Sequence, residues 1–120
     1  MKMTRGNHGF TLVELMVVVL IIGILIAIAV PIFNAAKATA QKNTCYANQR
    51  TIEGSIQTYQ ARTGSMPATG VIGGTHDLIS GGYIKSAPYC PTGGTSAQYS
   101  INSSGTVANC SQGTPTHGHY

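Results

Sequence analysis

Side chains able to do chemistry are scarce in this chain: its 120 residues include 3 Asp and Glu together, 4 His and 3 Cys. General acid–base work needs paired carboxylates, or a histidine that a third group orients. Here Glu14, Glu53 and Asp77 each stand alone in sequence. His76 and Asp77 are adjacent, and sequence neighbours do not face each other as base and orienter. The Gly-Gly pairs lack the lysine that completes a phosphate-binding loop. Cys90, Cys110, His117 and His119 make four ligands on paper, but their spacing fits no common zinc module. No catalytic, cofactor-binding or metal-ligating residue is expected.

The unusual placement is Glu14. It lies near the start of "GFTLVELMVVVLIIGILIAIAVPIF", residues 9–33, where Thr11 is the other strongly polar side chain. As a helix, Phe10 to Phe33 would span roughly 36 Å at about 1.5 Å per residue, enough to cross a hydrocarbon core of about 30 Å. A charge near the centre of such a span costs roughly 2.5–3.5 kcal/mol, less toward an end, and calls for a partner.

Three readings compete for this segment. A secretory signal has a shorter apolar stretch, about 7–15 residues, and the Ala36–Ala38 triplet lies well past Pro31. An ordinary anchor leaves Glu14 unexplained. Lys2 and Arg5 ahead of the run are matched by Lys37, Lys42 and Arg50 behind it, so flanking charge sets no orientation. The third reading accounts for the carboxylate. If the chain is cut after Gly9, a new ammonium sits on Phe10, one helical turn before Glu14. The two can pair within one chain or between neighbours, cancelling two charges that are each costly in lipid.

"GFTLVELMVVVLIIGILIAIAVP" resembles the N-terminal processing signature of type IV pilins and of the pseudopilins of type II secretion and competence systems. The resemblance rests on Gly9, Phe10, Thr11 and Glu14, followed by an apolar helix with Gly23 and Pro31. It implies cleavage between Gly9 and Phe10 by a prepilin peptidase and N-methylation of Phe10. It also implies that Glu14 neutralises the amino terminus of an adjacent subunit during filament growth. Gly23 to Pro31 would match the segment that loses helical structure in assembled filaments. Independently of the family, Pro31 cannot donate to the Ala27 carbonyl, and Gly23 disfavours helix by about 1 kcal/mol against alanine. A plain proline kink is the alternative.

The elements that must position this segment follow from pattern. Asn34 to Thr63 lacks proline and is rich in Ala, Gln and Lys. Ala38, Cys45, Ile52 and Tyr59 recur at heptad spacing with Ile56 on the same face, while Lys37, Lys42, Gln49 and Arg50 fall mostly off it. One helix of about 54 residues, roughly 80 Å long, is predicted. Gly64 reads as its stop, with Pro67 beyond. From Ser65 onward Gly, Ser, Thr, Pro and Asn dominate. A helical turn is expected at Asp77–Ser80, inside a loop-rich connector from Pro67 to Pro91. "AQYSIN", residues 97–102, alternates Tyr99 and Ile101 on one side, Asn102–Gly105 makes a turn, and "TVANC", residues 106–110, returns.

The fold class is therefore α+β: one long N-terminal helix packed against a small antiparallel hairpin or sheet, as in type IV pilins. The expected organisation is a leader at 1–9, a transmembrane and polymerisation helix at 10–33 and an amphipathic continuation at 34–63. A small body at 64–110 and a tail at 111–120 complete it. Cys90 and Cys110 lie in the loop-rich body, where a bridge would close a loop of about 20 residues, worth on the order of 3 kcal/mol. Cys45, on the packed face, is a buried apolar thiol, a partner of Cys90 or Cys110, or the source of an intermolecular bond.

Leu78 to Pro88 and Cys90 to Cys110 also resemble the C-terminal region of small pilins and major pseudopilins. The secretion pseudopilins carry a calcium site of acidic side chains there, whereas this chain has the single acid Asp77 after Glu53, which favours a pilus subunit. The predicted function is a non-enzymatic pilin without cofactor, inserted in the cytoplasmic membrane and then polymerised into a cell-surface filament. Its partners would be further copies of itself, a prepilin peptidase and the pilus or secretion machinery. Lys37, Lys42, Arg50, Arg62 and Lys85 are dispersed, so DNA binding is possible for a filament but not indicated by one subunit. A major pseudopilin is the alternative within the class, and a membrane-anchored exported binding domain the alternative outside it.

Overall fold

The computed structural model describes residues 9–107 and Gly118. The chain divides into two compact units, residues 1–37 and 38–120. One α-helix, α1 (Leu12–Thr63), contributes to both.

The first unit is the apolar part of α1. Its Val and Ile runs favour strands by propensity, yet a helix satisfies every backbone group within a single segment, the requirement for crossing lipid. The helix runs without a break through Gly23 and Pro31. Every large apolar side chain from Leu12 to Phe33 is exposed, from 44% at Val18 to 73% at Leu12. The most apolar window of α1 has a mean hydropathy of 3.3 and none of it is buried, so it is long and apolar enough to cross a membrane.

The second unit packs a small body on the later part of α1. Cys45, Gln49, Ile52, Ser55 and Ile56 form its buried stripe, with Tyr59 half-buried beside it. Ala38, expected to head this stripe, is exposed. Gln49, expected off the stripe, is fully buried. The reason is helical arithmetic: it lies four residues after Cys45 and three before Ile52, which is one face at 3.6 residues per turn. Its amide is not stranded, since Nε2 donates to the Gly118 carbonyl at 3.3 Å. Gly64 ends α1 at φ 72°, its amide donating to the Gln60 carbonyl at 2.8 Å.

Against this stripe sit Ile72, Leu78, Cys90, Ala97, Tyr99, Ile101 and Val107, all buried. The short helix α2 (Asp77–Ser80) forms where a turn was expected. The sheet is antiparallel and two-stranded: β1 (Gly70–Val71) pairs with β2 (Ser100–Ile101) in the register Gly70 with Ile101 and Val71 with Ser100. The α+β class is as predicted, but β1 comes from the connector read as loop. The expected return after Asn102–Gly105 survives as one bridge, Ile101 with Val107. Residues 108–110 of that return lie outside the described residues.

Candidate functional site

The candidate site is built around the start of α1. Gly9 and Phe10 are outside any helix, and Phe10 is 79% exposed. The Thr11 hydroxyl accepts from the Glu14 amide at 3.2 Å, and the Thr11 carbonyl accepts from the Leu15 amide at 3.2 Å. Thr11 is thus an N-cap: its side chain satisfies one of the amides that a helix start leaves without an intrahelical partner. Sequence reasoning named Thr11 only as part of the processing signature. The spacing Thr-x-x-Glu that begins a capping box was the signal for its structural role.

Glu14 lies in the first turn of the helix, where the macrodipole favours a negative charge by roughly 0.3–1 kcal/mol. It is exposed, as are the apolar side chains that follow it. The predicted cleavage, methylation and assembly residues Gly9, Phe10 and Glu14 therefore share one short stretch, with the Gly9–Phe10 bond ahead of the helix and the carboxylate inside it. Gly23 and Pro31 lie on the same helix. Further along, Leu25, Ile28, Ala29, Ile32, Phe33 and Ala36 line a shallow apolar groove of about 550 Å³. Such a surface stabilises nothing alone and gains by burial in lipid or against other helices.

In the body, the side chains that could do chemistry hold backbone instead. The Glu53 carboxylate accepts from the Val107 amide at 3.3 Å, and that of Asp77 from the Ala68 amide at 3.0 Å. His76 caps α2, its Nδ1 accepting from the Leu78 amide at 3.3 Å. That assigns the ring proton to Nε2, which lies 2.9 Å from the Ala68 carbonyl and donates to it. Tyr99, fully buried, is held far above its ordinary pKa of 10.0 by burial and by its hydrogen bond to the Cys45 thiol; the Asn48 amide pulls the other way. Cys45 is buried and unbridged, while Cys90 is disulfide-bonded. Cys110, His117 and His119 lie outside the described residues. Among the described residues no group of three or more His, Cys, Asp or Glu gathers.

An exposed apolar helix long enough to cross a membrane, with a carboxylate in its first turn, defines a class: chains that one N-terminal helix can seat in a membrane. Comparison with known proteins narrows it. Residues 4–30 match the prokaryotic N-terminal methylation motif. The competence protein ComGC of Bacillus subtilis is 34% identical over 89 residues, covering 73% of this chain and 85% of that protein. The type II secretion system core protein G of Vibrio cholerae is 31% identical over 119 residues, 89% of this chain and 80% of that protein. The fimbrial protein EcpC of Eikenella corrodens is 35% identical over 80 residues, 67% of this chain. This chain spans about half the length of that fimbrial relative, 52%. No solved structure matches significantly. The chain belongs to the family of type IV pilins and pseudopilins.

Proposed function

We propose that this chain is the structural subunit of a type IV pilus-like filament, with no catalytic role. Residues 1–9 are a leader, 10–33 the polymerisation helix, 34–63 its amphipathic continuation, 64–110 the body and 111–120 a tail. Hydrolysis of the Gly9–Phe10 bond by a prepilin peptidase leaves an ammonium on Phe10, which methylation keeps basic. Glu14 of one subunit then pairs with the Phe10 ammonium of the next, and burial of the apolar helices against each other supplies cohesion. Gly23 and Pro31 bound the part of the helix that extends on assembly. The filament is extracellular and the precursor a single-pass protein of the cytoplasmic membrane. A Cys90–Cys110 bridge closes the body; the bridged state of Cys90 beside an unbridged Cys45 supports it.

The observation that carries this reading is Glu14, the one carboxylate in the exposed apolar part of α1, one turn from a non-helical Gly9–Phe10 bond. Intact mass of the mature protein tests it: the expected product lacks residues 1–9 and carries one added methyl group. Retention of the leader would support a permanent anchor instead. A second reading, the major pseudopilin of a secretion or competence system, is favoured by coverage. The chain spans 85% of ComGC and 80% of core protein G against 52% of EcpC.

A further inference from the structure

We infer that Thr11 is a positioning residue for leader removal: by capping α1 it keeps the scissile Gly9–Phe10 bond out of the helix. The inference rests on the processing reading above. A peptidase hydrolyses a peptide bond by presenting water to a carbonyl whose flanking backbone is free. Inside a helix the same carbonyl is already an acceptor for the amide four residues on. In this uncleaved chain Gly9 and Phe10 are non-helical and exposed, and the helix begins at Leu12.

What holds the boundary there is local. Phe10 is apolar and helix-compatible, and a Cβ added at Gly9 would meet nothing within 4 Å among the described residues. The Thr11 hydroxyl occupies the Glu14 amide, and the Thr11 carbonyl already accepts from Leu15. That arrangement requires Thr11 itself to stay in a non-helical conformation, as N-cap residues do. Upstream, the next side chain of a good capping type is Asn7. With the Thr11 hydroxyl gone, a helix start near Asn7 becomes the best remaining, and it would draw Gly9 and Phe10 into the first turn.

The test uses the full chain in detergent with a prepilin peptidase and reads the rate of leader loss by mass. Thr11→Val removes the hydroxyl at constant shape and is expected to slow cleavage by up to about fivefold, the most that the population shift from losing one cap can produce. Thr11→Ser is expected to cleave like the natural chain. The decisive variant is Thr11→Val with Leu12→Pro: proline is favoured at the first helical position and biases the residue before it away from helix. It restores the boundary without the hydroxyl, so cleavage should recover. Amide exchange at Val13, which would donate to the Gly9 carbonyl in the lengthened helix, should show protection in Thr11→Val and its loss in the double variant. Unchanged cleavage of Thr11→Val overturns the inference. So does a double variant that stays slow although its exchange is restored, since the hydroxyl would then act on the peptidase directly. Failure of the natural chain to be cleaved at all overturns the processing reading and this inference with it.

Discussion

The backbone amide of Glu14 donates to the side-chain hydroxyl of Thr11 at 3.2 Å. The carboxylate that the apolar segment should exclude is therefore anchored at its root to the helix start. Its position is fixed relative to the Gly9–Phe10 bond, whose proposed cleavage would create its partner. A charge at the first turn is tolerable in the uncleaved chain because the macrodipole favours it and the interface is near. In the proposed filament, the larger stabilisation comes when an ammonium meets it.

Glu14→Ala should leave membrane insertion intact and abolish filaments. The apolar run gains rather than loses hydropathy, so insertion has no reason to fail. Burying the Phe10 ammonium without its carboxylate would cost about 3–5 kcal/mol per subunit addition, on the order of a hundredfold or more in the addition equilibrium. Glu14→Gln, which keeps size but not charge, should fail alike. Membrane fractionation and electron microscopy of sheared surface fibres check both; normal fibres from either variant would end this role for Glu14.

The cysteine arrangement predicts a labelling pattern. Alkylation of the denatured, unreduced protein should tag Cys45 alone, and reduction should release two further thiols mapped to Cys90 and Cys110. Reduction should also lower stability by about 3 kcal/mol in the chain-entropy account of a loop of roughly 20 residues. A tag on Cys110 without reduction would refute the proposed pairing. Unchanged protease resistance of the reduced body would refute its structural weight.

How much of this was readable beforehand depended on the length scale of each signal. The apolar run, Glu14 and the stop at Gly64 are long or chemically loud, and the helix Leu12–Thr63 follows them closely. The stripe through Cys45, Ile52 and Ile56 was legible, but the polarity of Gln49 misplaced it: it lies one heptad before Ile56 on the same face, its amide satisfied by the Gly118 carbonyl. β1 was illegible for a different reason. Two residues, Gly70 and Val71, offer no alternation to detect, and their strand character comes from Ile101 and Ser100 thirty positions away. At the candidate site every proposed processing residue was visible, whereas the cap was hidden in a threonine that the signature already seemed to explain.

Gly105 is a position where backbone and packing agree. Its φ is 75°, in the left-handed region, and an added Cβ would overlap the Met66 methyl group. Gly105→Ala should therefore destabilise the body by about 1–3 kcal/mol. Met66 is 40% exposed, so it can be trimmed cheaply. In the background of Met66→Ala the same glycine substitution should cost only the conformational part, about 1–2 kcal/mol. A double-mutant cycle by chemical denaturation measures this, and a coupling near zero would show that Met66 is not the obstacle.

Tyr99 predicts how stability responds to alkali. Unfolded, its phenol ionises near the ordinary 10.0; folded, burial and the Cys45 thiol keep it protonated to well above that. The native state then binds more protons than the unfolded state once pH passes about 10, so stability falls as pH rises. The contribution is fully present below that pH, and its loss proceeds at up to about 1.4 kcal/mol per pH unit until the folded group itself ionises. Tyr99→Phe should remove this slope. At neutral pH it should cost only about 0.5–1.5 kcal/mol, because Asn48 keeps a second acceptor in the Tyr89 carbonyl at 3.3 Å. Denaturation of both proteins in the same detergent across this range provides the check. Parallel pH profiles would mean that the Tyr99 phenol is not protected from ionising by the fold.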